Sequence, residues 1–196
     1  MSKFEKYEQT CEKMKQQNYH QEDHILSMVY CNTMGLLFPL PPLLFVGIVY
    51  YLRWGSFSLA ISPVGFIIGL FATVIIHELL HGLAWSRFCE DGFSDVRFGI
   101  NQGMPYCHCT QPLEKKHYLI GALTPVFVLG TLLFAASLIF PNSTLFALTM
   151  INILLAGGDM IIAGRVLRLS EAAIIDHPNL PGFVAFTKKE STASPN

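Results

Sequence analysis

The stretch V74-I-I-H-E-L-L-H-G-L-A-W85 places two histidines and a glutamate inside one of the most apolar regions of the chain. Between Leu26 and Phe88 the only charged residues are Arg53, Glu78 and Arg87. An ionisable group at bilayer depth costs several kcal/mol unless something offsets it, so such groups are read first as functional. His77 and His81 are four residues apart, which on a helix puts both rings on one face about a turn apart.

Outward from this stretch, the apolar run covers residues 63–88, and three others are of similar length: 30–52, 119–140 and 145–166. Each reaches the roughly 20 residues that a bilayer-spanning helix requires. The whole chain of 196 residues is 52% apolar and 14% charged, with mean hydropathy +0.42. That balance excludes an ordinary soluble globule and predicts an all-α membrane protein of about four transmembrane helices. Pro39, Pro41 and Pro42 predict a kink in the first span, and Pro125 lies inside the third. Net charge is −1, so no basic field is available for nucleic acid.

The basic residues divide unevenly between the two sides that four spans define. Lys3, Lys6, Lys13 and Lys15 precede the first span, and Arg87, Arg97, Lys115 and Lys116 lie between the second and third. Arg165, Arg168, Lys188 and Lys189 follow the fourth, which leaves Arg53 alone on the opposite side. The positive-inside rule places the three basic segments, and so both termini, in the cytoplasm of a multi-pass cell-membrane protein. The expected division is a cytoplasmic segment over 1–29, a transmembrane domain over 30–169 and a cytoplasmic tail over 170–196. The polar first 29 residues show no secretory signal, so the five cysteines predict no disulfide framework. Cys11, Cys31 and Cys89 carry no signal of their own.

The long connection from Cys89 to Lys116 has its own pattern. Val96, Phe98 and Ile100 alternate with Arg97, Gly99 and Asn101, the period of a strand, and turn residues follow from Asn101 to Pro105. A short hairpin at or just within the cytoplasmic face is expected, the alternative being an irregular polar loop.

The spacing of His77 and His81 allows two imidazoles to bind one zinc ion (Zn2+), with Glu78 able to reach a water in the open coordination position. A third protein ligand is needed. Asp159 is the sole charged residue between Tyr118 and Gly164. It lies six residues before Arg165, as His81 lies six before Arg87, so both sit about 9 Å deep from the same side. Small residues at Ala156, Gly157 and Gly158 allow close helix approach. Asp159 is therefore the expected third ligand. Cys107, His108 and Cys109 compete for the role, although on a strand the cysteines face one way and the histidine the other. Otherwise that segment lines the mouth of the site. Asn152 shares a face with Asp159 and either bonds a substrate backbone or joins helices. His20, His24, His117 and His177 are expected to be solvated or interfacial.

These residues resemble two related groups. HELLH in one span, a later membrane aspartate in GGD and a strand-like loop between them are similar to the intramembrane zinc proteases of the site-2-protease group. More closely, HELLHG, YCHC, GGDM and the tail DHPNLPGFVAF resemble a zincin peptidase family of small bacterial membrane proteins, over roughly residues 70–186. The resemblance implies His77, His81 and Asp159 as metal ligands, Glu78 as catalytic base, and a membrane protein or peptide as substrate within the lipid bilayer. The chain departs from the site-2 pattern in that its glycines precede the aspartate and no proline accompanies them.

The expected function is thus zinc-dependent hydrolysis of membrane-embedded peptide near the cytoplasmic side. The alternative is a membrane metal-binding protein without proteolysis, a sensor, transporter or degenerate enzyme. A transporter needs polar steps across the whole membrane, and a plain chelating site has no use for Glu78.

Overall fold

Helix α4 (Pro63–Ser86) carries the HELLH stretch in 24 residues. The Ser62 hydroxyl accepts from the Gly65 N–H at 3.2 Å, and Pro63 sits at the first helical position, where a missing N–H costs no bond. At 1.5 Å per residue the helix is about 36 Å long, more than the ~30 Å hydrocarbon thickness. The computed structural model that contains it describes residues 3–58, 60–101 and 104–188.

Among these residues four helical stretches are long and apolar enough to cross a membrane: Met28–Trp54, Pro63–Ser86, Lys115–Ile139 and Ser143–Leu167. Their outer faces expose large apolar side chains such as Phe71, Phe127 and Leu132, each more than 60% accessible. The first stretch divides into α2 (Met28–Leu37) and α3 (Leu40–Trp54) at the expected proline cluster. The third, α5 (Lys115–Ile139), is continuous despite Pro125. The fourth divides unexpectedly into α6 (Ser143–Leu155) and α7 (Gly157–Leu167), joined through Ala156 at ψ 3°. Two glycines follow the break, where helix propensity is lowest. Gly157 lies so close to the Gly35 carbonyl of α2 that a Cβ could not be accommodated.

The expectation of an all-α chain with a single hairpin needs correction at the ends. Helix α1 (Lys3–Gln16) leads into β1 (Tyr19–Ile25), which joins β4 (Leu113–Glu114), β5 (Ala173–Asp176) and β6 (Gly182–Lys188). They form an antiparallel sheet in the order β1-β6-β5-β4, with Tyr19 opposite Lys188 and Ile174 opposite Ala185. From Phe183 to Phe186 strand β6 is buried on both faces, with Cys11 of α1 packed beside Ile175, Val184 and Phe186. At Gly182, φ is 137° and a Cβ would collide with the His24 carbonyl, so only glycine fits. The sheet gathers the N-terminal segment, the start of α5 and the C-terminal segment at one end of the helices. Lys6 Nζ, 3.1 Å from Asp95 Oδ1, joins the α4–α5 connection to the same end.

That connection contains the expected hairpin, β2 (Val96–Asn101) against β3 (Met104–Cys109), with Val96 opposite Cys109 and Phe98 opposite Cys107. Gln102 and Gly103, at the centre of the expected turn, lie outside the described residues, as does Lys189. The Thr110 N–H donates to the Asp95 carbonyl at 2.8 Å, which fixes the alternation of bonded pairs along the ladder. Residues 97, 99, 106 and 108 bond across the hairpin. The backbone groups of 96 and 98 point out along the β2 edge, and those of 107 and 109 along the β3 edge. Gly82 of α4 lies under the hairpin, where a Cβ would come within 2.6 Å of the Phe98 ring.

Candidate metal centre

His77 and His81 project from one face of α4 and are both buried, at 8% and 4% exposure. Asp159 enters from the first turn of α7, immediately after the break in the fourth stretch. His77 Nε2 is 3.0 Å from Asp159 Oδ2, His81 Nε2 is 3.4 Å from Asp159 Oδ1, and the two Nε2 atoms are 3.2 Å apart. The break does not disturb the depth match between Asp159 and His81; it turns the carboxylate into the gap between the helices.

These distances can be tested against zinc. Zinc–nitrogen bonds of 2.0–2.1 Å and zinc–oxygen bonds of 2.0–2.2 Å put tetrahedral ligand atoms about 3.3–3.5 Å apart. The three observed separations, with the carboxylate meeting His77 through Oδ2 and His81 through Oδ1, are close to that edge, so the two imidazoles and the carboxylate could hold one zinc ion between them. Among the described residues this is the one group of three or more potential ligands close enough to share an ion. Cys107, His108 and Cys109 are not part of it.

The protonation pattern agrees. His81 Nδ1 lies 2.9 Å from the Gly121 carbonyl, which can only accept, so Nδ1 carries a proton and, when the ring is neutral, Nε2 presents its lone pair. That lone pair faces a carboxylate oxygen and a second imidazole nitrogen. A proton relieves one such contact at a time, whereas a divalent cation relieves all three.

Pro125 makes the Gly121 carbonyl available. In an uninterrupted helix the N–H of residue 125 would donate to carbonyl 121, but proline has no N–H. The freed carbonyl accepts from His81 instead, so the proline inside α5 fixes the tautomer and orientation of a histidine on α4. Trp85 completes the support. Its ring stacks on His81 at 5.1 Å and 13°, its Nε1–H donates to the Tyr118 carbonyl at 3.1 Å, and Gly121 leaves the space it fills.

Glu78, His81 and Asp159 line a cleft of about 490 Å³. Residues 105–108 of β3 form one wall, the 176–181 connection between β5 and β6 forms another, and Met28, Cys31 and Asn32 of α2 also border it. The backbone N–H of Cys107 reaches the Glu78 carboxylate, as the outward set of β3 allows. The YCHC segment therefore lines the site, and its cysteines face the core while His108 stacks on Tyr106. Asn152 is 2% exposed among the helices and does not border the cleft.

The C-terminal wall was not foreseen. The buried Tyr118 hydroxyl donates to Asp176 at 2.5 Å. His177 is not simply interfacial: its Nδ1 accepts from the N–H groups of Asn179 and Leu180, which holds the connection in a tight turn over the cleft. Their only trace in the sequence was the segment DHPNLPGFVAF, which alone shows no geometry.

A family model described as "Putative zincin peptidase" matches residues 70–174, just over half of the 196. The chain belongs to this family. The matched stretch contains His77, Glu78, His81 and Asp159, together with the hairpin and the break between α6 and α7. Membership in the zincin peptidase family points to zinc and to metallopeptidase chemistry. No curated protein and no solved structure matches the chain.

One consequence concerns the proline. Pro125→Ala restores an N–H that competes for the Gly121 carbonyl and leaves the His81 ring without its acceptor. Zinc affinity, measured against a competing chelator, is expected to weaken roughly 10- to 100-fold. The melting temperature should hold or rise, because a helix-interior proline costs about 3 kcal/mol in itself. Unchanged affinity would contradict the link.

Proposed function

We propose that this protein is an intramembrane zinc metallopeptidase that hydrolyses peptide bonds of membrane-embedded protein or peptide segments near the cytoplasmic face. The observation that carries the reading is the convergence of His77, His81 and Asp159 beside Glu78, at the base of a cleft set among membrane-length helices. Zinc held by the three ligands would supply Lewis acidity to a peptide carbonyl and would make a bound water far more acidic than free water.

The remaining work falls to the chain. Glu78 takes the proton of the attacking water and later delivers it to the leaving amine nitrogen. A helical substrate hides its carbonyls in its own hydrogen bonds and must unwind before attack. Of the two hairpin strands it is β3 that borders the cleft. Alternation along β2 identifies a strand without saying which edge of the hairpin meets the site. An unwound segment adding to β3 would take the Cys107 N–H from Glu78, so docking would free the base as it aligns the scissile bond. Membranes from cells making the wild-type protein should contain cleavage fragments of transmembrane proteins that are missing with Glu78→Gln. Identical fragment sets would refute the assignment.

Orientation belongs to the same proposal. Twelve of the 13 basic residues lie in three stretches of sequence whose described parts meet at one end of the helices, and the positive-inside rule puts that end in the cytoplasm. A cysteine introduced at Ser2 should react with an impermeant maleimide only after the membrane is opened. Labelling of intact cells would reverse the topology.

A further inference from the structure

Two cysteines that the peptide chemistry does not use lie side by side. Cys89, in the turn after α4, and Cys109, the last residue of β3, have their sulfurs 2.6 Å apart across 20 residues of sequence. All five cysteines are free thiols. The contact is part of the packing, because Cys109 is 4% exposed and belongs to the core that joins the hairpin, α4, α5 and the sheet. Cys89 packs at the border of that core and is partly accessible. One reachable sulfur backed by one enclosed sulfur is the arrangement that dithiol oxidation requires: the first meets the oxidant and the second resolves the product.

We propose that Cys89 and Cys109 form a redox-active dithiol that reacts with low-molecular-weight disulfides and, when oxidised, staples the hairpin to the end of the metal-binding helix. The charge distribution supports this order of events. Donation from the Cys109 thiol holds Cys89 below the ordinary thiol range, against the opposing effect of burial, while contact with Cys89 and burial push Cys109 up. Cys89 is therefore the nucleophile. Its thiolate attacks one sulfur of the small disulfide and expels the other as a thiolate. Cys109 then attacks the Cys89 sulfur of the mixed disulfide and expels the second small thiolate. Two protein thiols lose two electrons, one small disulfide becomes two thiols, and the two protons pass from the protein thiols to them.

The bond would lie at the base of β3, the strand that carries Cys107 to Glu78. The thiol chemistry stands independently of the peptidase reading; its effect on substrate admission rests on that reading. Closing a loop of this size restricts the states in which the hairpin leaves α4, so oxidation should slow local opening.

The test uses the full-length protein in detergent with oxidised glutathione as the probe. Non-reducing peptide mapping is expected to recover Cys89 joined to Cys109, with Cys11, Cys31 and Cys107 alkylatable after denaturation and with complete reversal by dithiothreitol. Amide exchange over residues 96–109 should slow roughly tenfold or more in the oxidised form, and this slowing should be absent in Cys89→Ser. Should Cys89→Ser fail to fold, Cys107→Ser serves instead: it keeps both sulfurs and must form the same bond. Recovery of Cys89 and Cys109 as thiols, a bond from Cys89 to Cys107, or a disulfide that leaves exchange over 96–109 unchanged would each overturn the proposal. None of these readouts depends on peptide cleavage, so a failure here is distinct from a failure of the peptidase assignment.

Discussion

Glu78→Gln is expected to purify with the same zinc content as the wild type and to cleave a reconstituted transmembrane peptide about 10²- to 10⁴-fold more slowly, the usual worth of a general base. Glutamine keeps the size of the side chain and still accepts a hydrogen bond from the Cys107 N–H, so the cleft wall should stay in place. What it loses is the ability to hold a proton taken from water. Glu78 neighbours His77 in sequence yet is outside the group of three that can share an ion, so zinc should remain when the carboxylate is gone. Normal cleavage by this variant would remove Glu78 from the mechanism. Loss of zinc would instead make it a ligand.

Asp159→Ala should fail in the opposite way. It removes one of three donors and leaves two imidazoles 3.2 Å apart with only each other to face. Losing a partner that merely orients a ligand costs 10- to 100-fold in metal affinity, and losing the ligand itself should cost at least about 100-fold. Zinc should be absent after dialysis and cleavage should be undetectable. The helices should still assemble, because the contact of Gly157 with Gly35 of α2 and the core residues of α7, Ile161 and Val166, are untouched. Full zinc retention by Asp159→Ala would move the third ligand elsewhere, with Cys107, His108 and Cys109 the residues to examine.

The parts of this fold that could be read in the sequence are those in which each residue reports its own environment. Apolar runs marked the four long helical stretches, because few charges can be tolerated along such a helix. Asp159 stood out for the same reason, and its count from Arg165 matched the count of His81 from Arg87. Alternation at Val96, Phe98 and Ile100 marked a strand. Features that depend on a partner elsewhere in the chain stayed hidden. Strand β1 reads Tyr-His-Gln-Glu-Asp-His-Ile, without apolar alternation, and is a strand because β6 lies beside it. The break at Ala156 comes at small residues that would equally suit a straight helix. Pro125 announces a missing N–H, but not that the freed Gly121 carbonyl would serve a histidine 40 positions before it. Cys89 and Cys109 meet only because the hairpin folds back on α4.

The central claim is that one zinc ion is held by two imidazoles and one carboxylate. The X-ray absorption spectrum of the zinc-loaded protein tests it most directly. The account predicts one zinc per chain with only nitrogen and oxygen neighbours at about 2.0–2.2 Å, and loss of that signal in His77→Ala. A sulfur neighbour near 2.3 Å, or a purified protein that takes up no zinc, would contradict it.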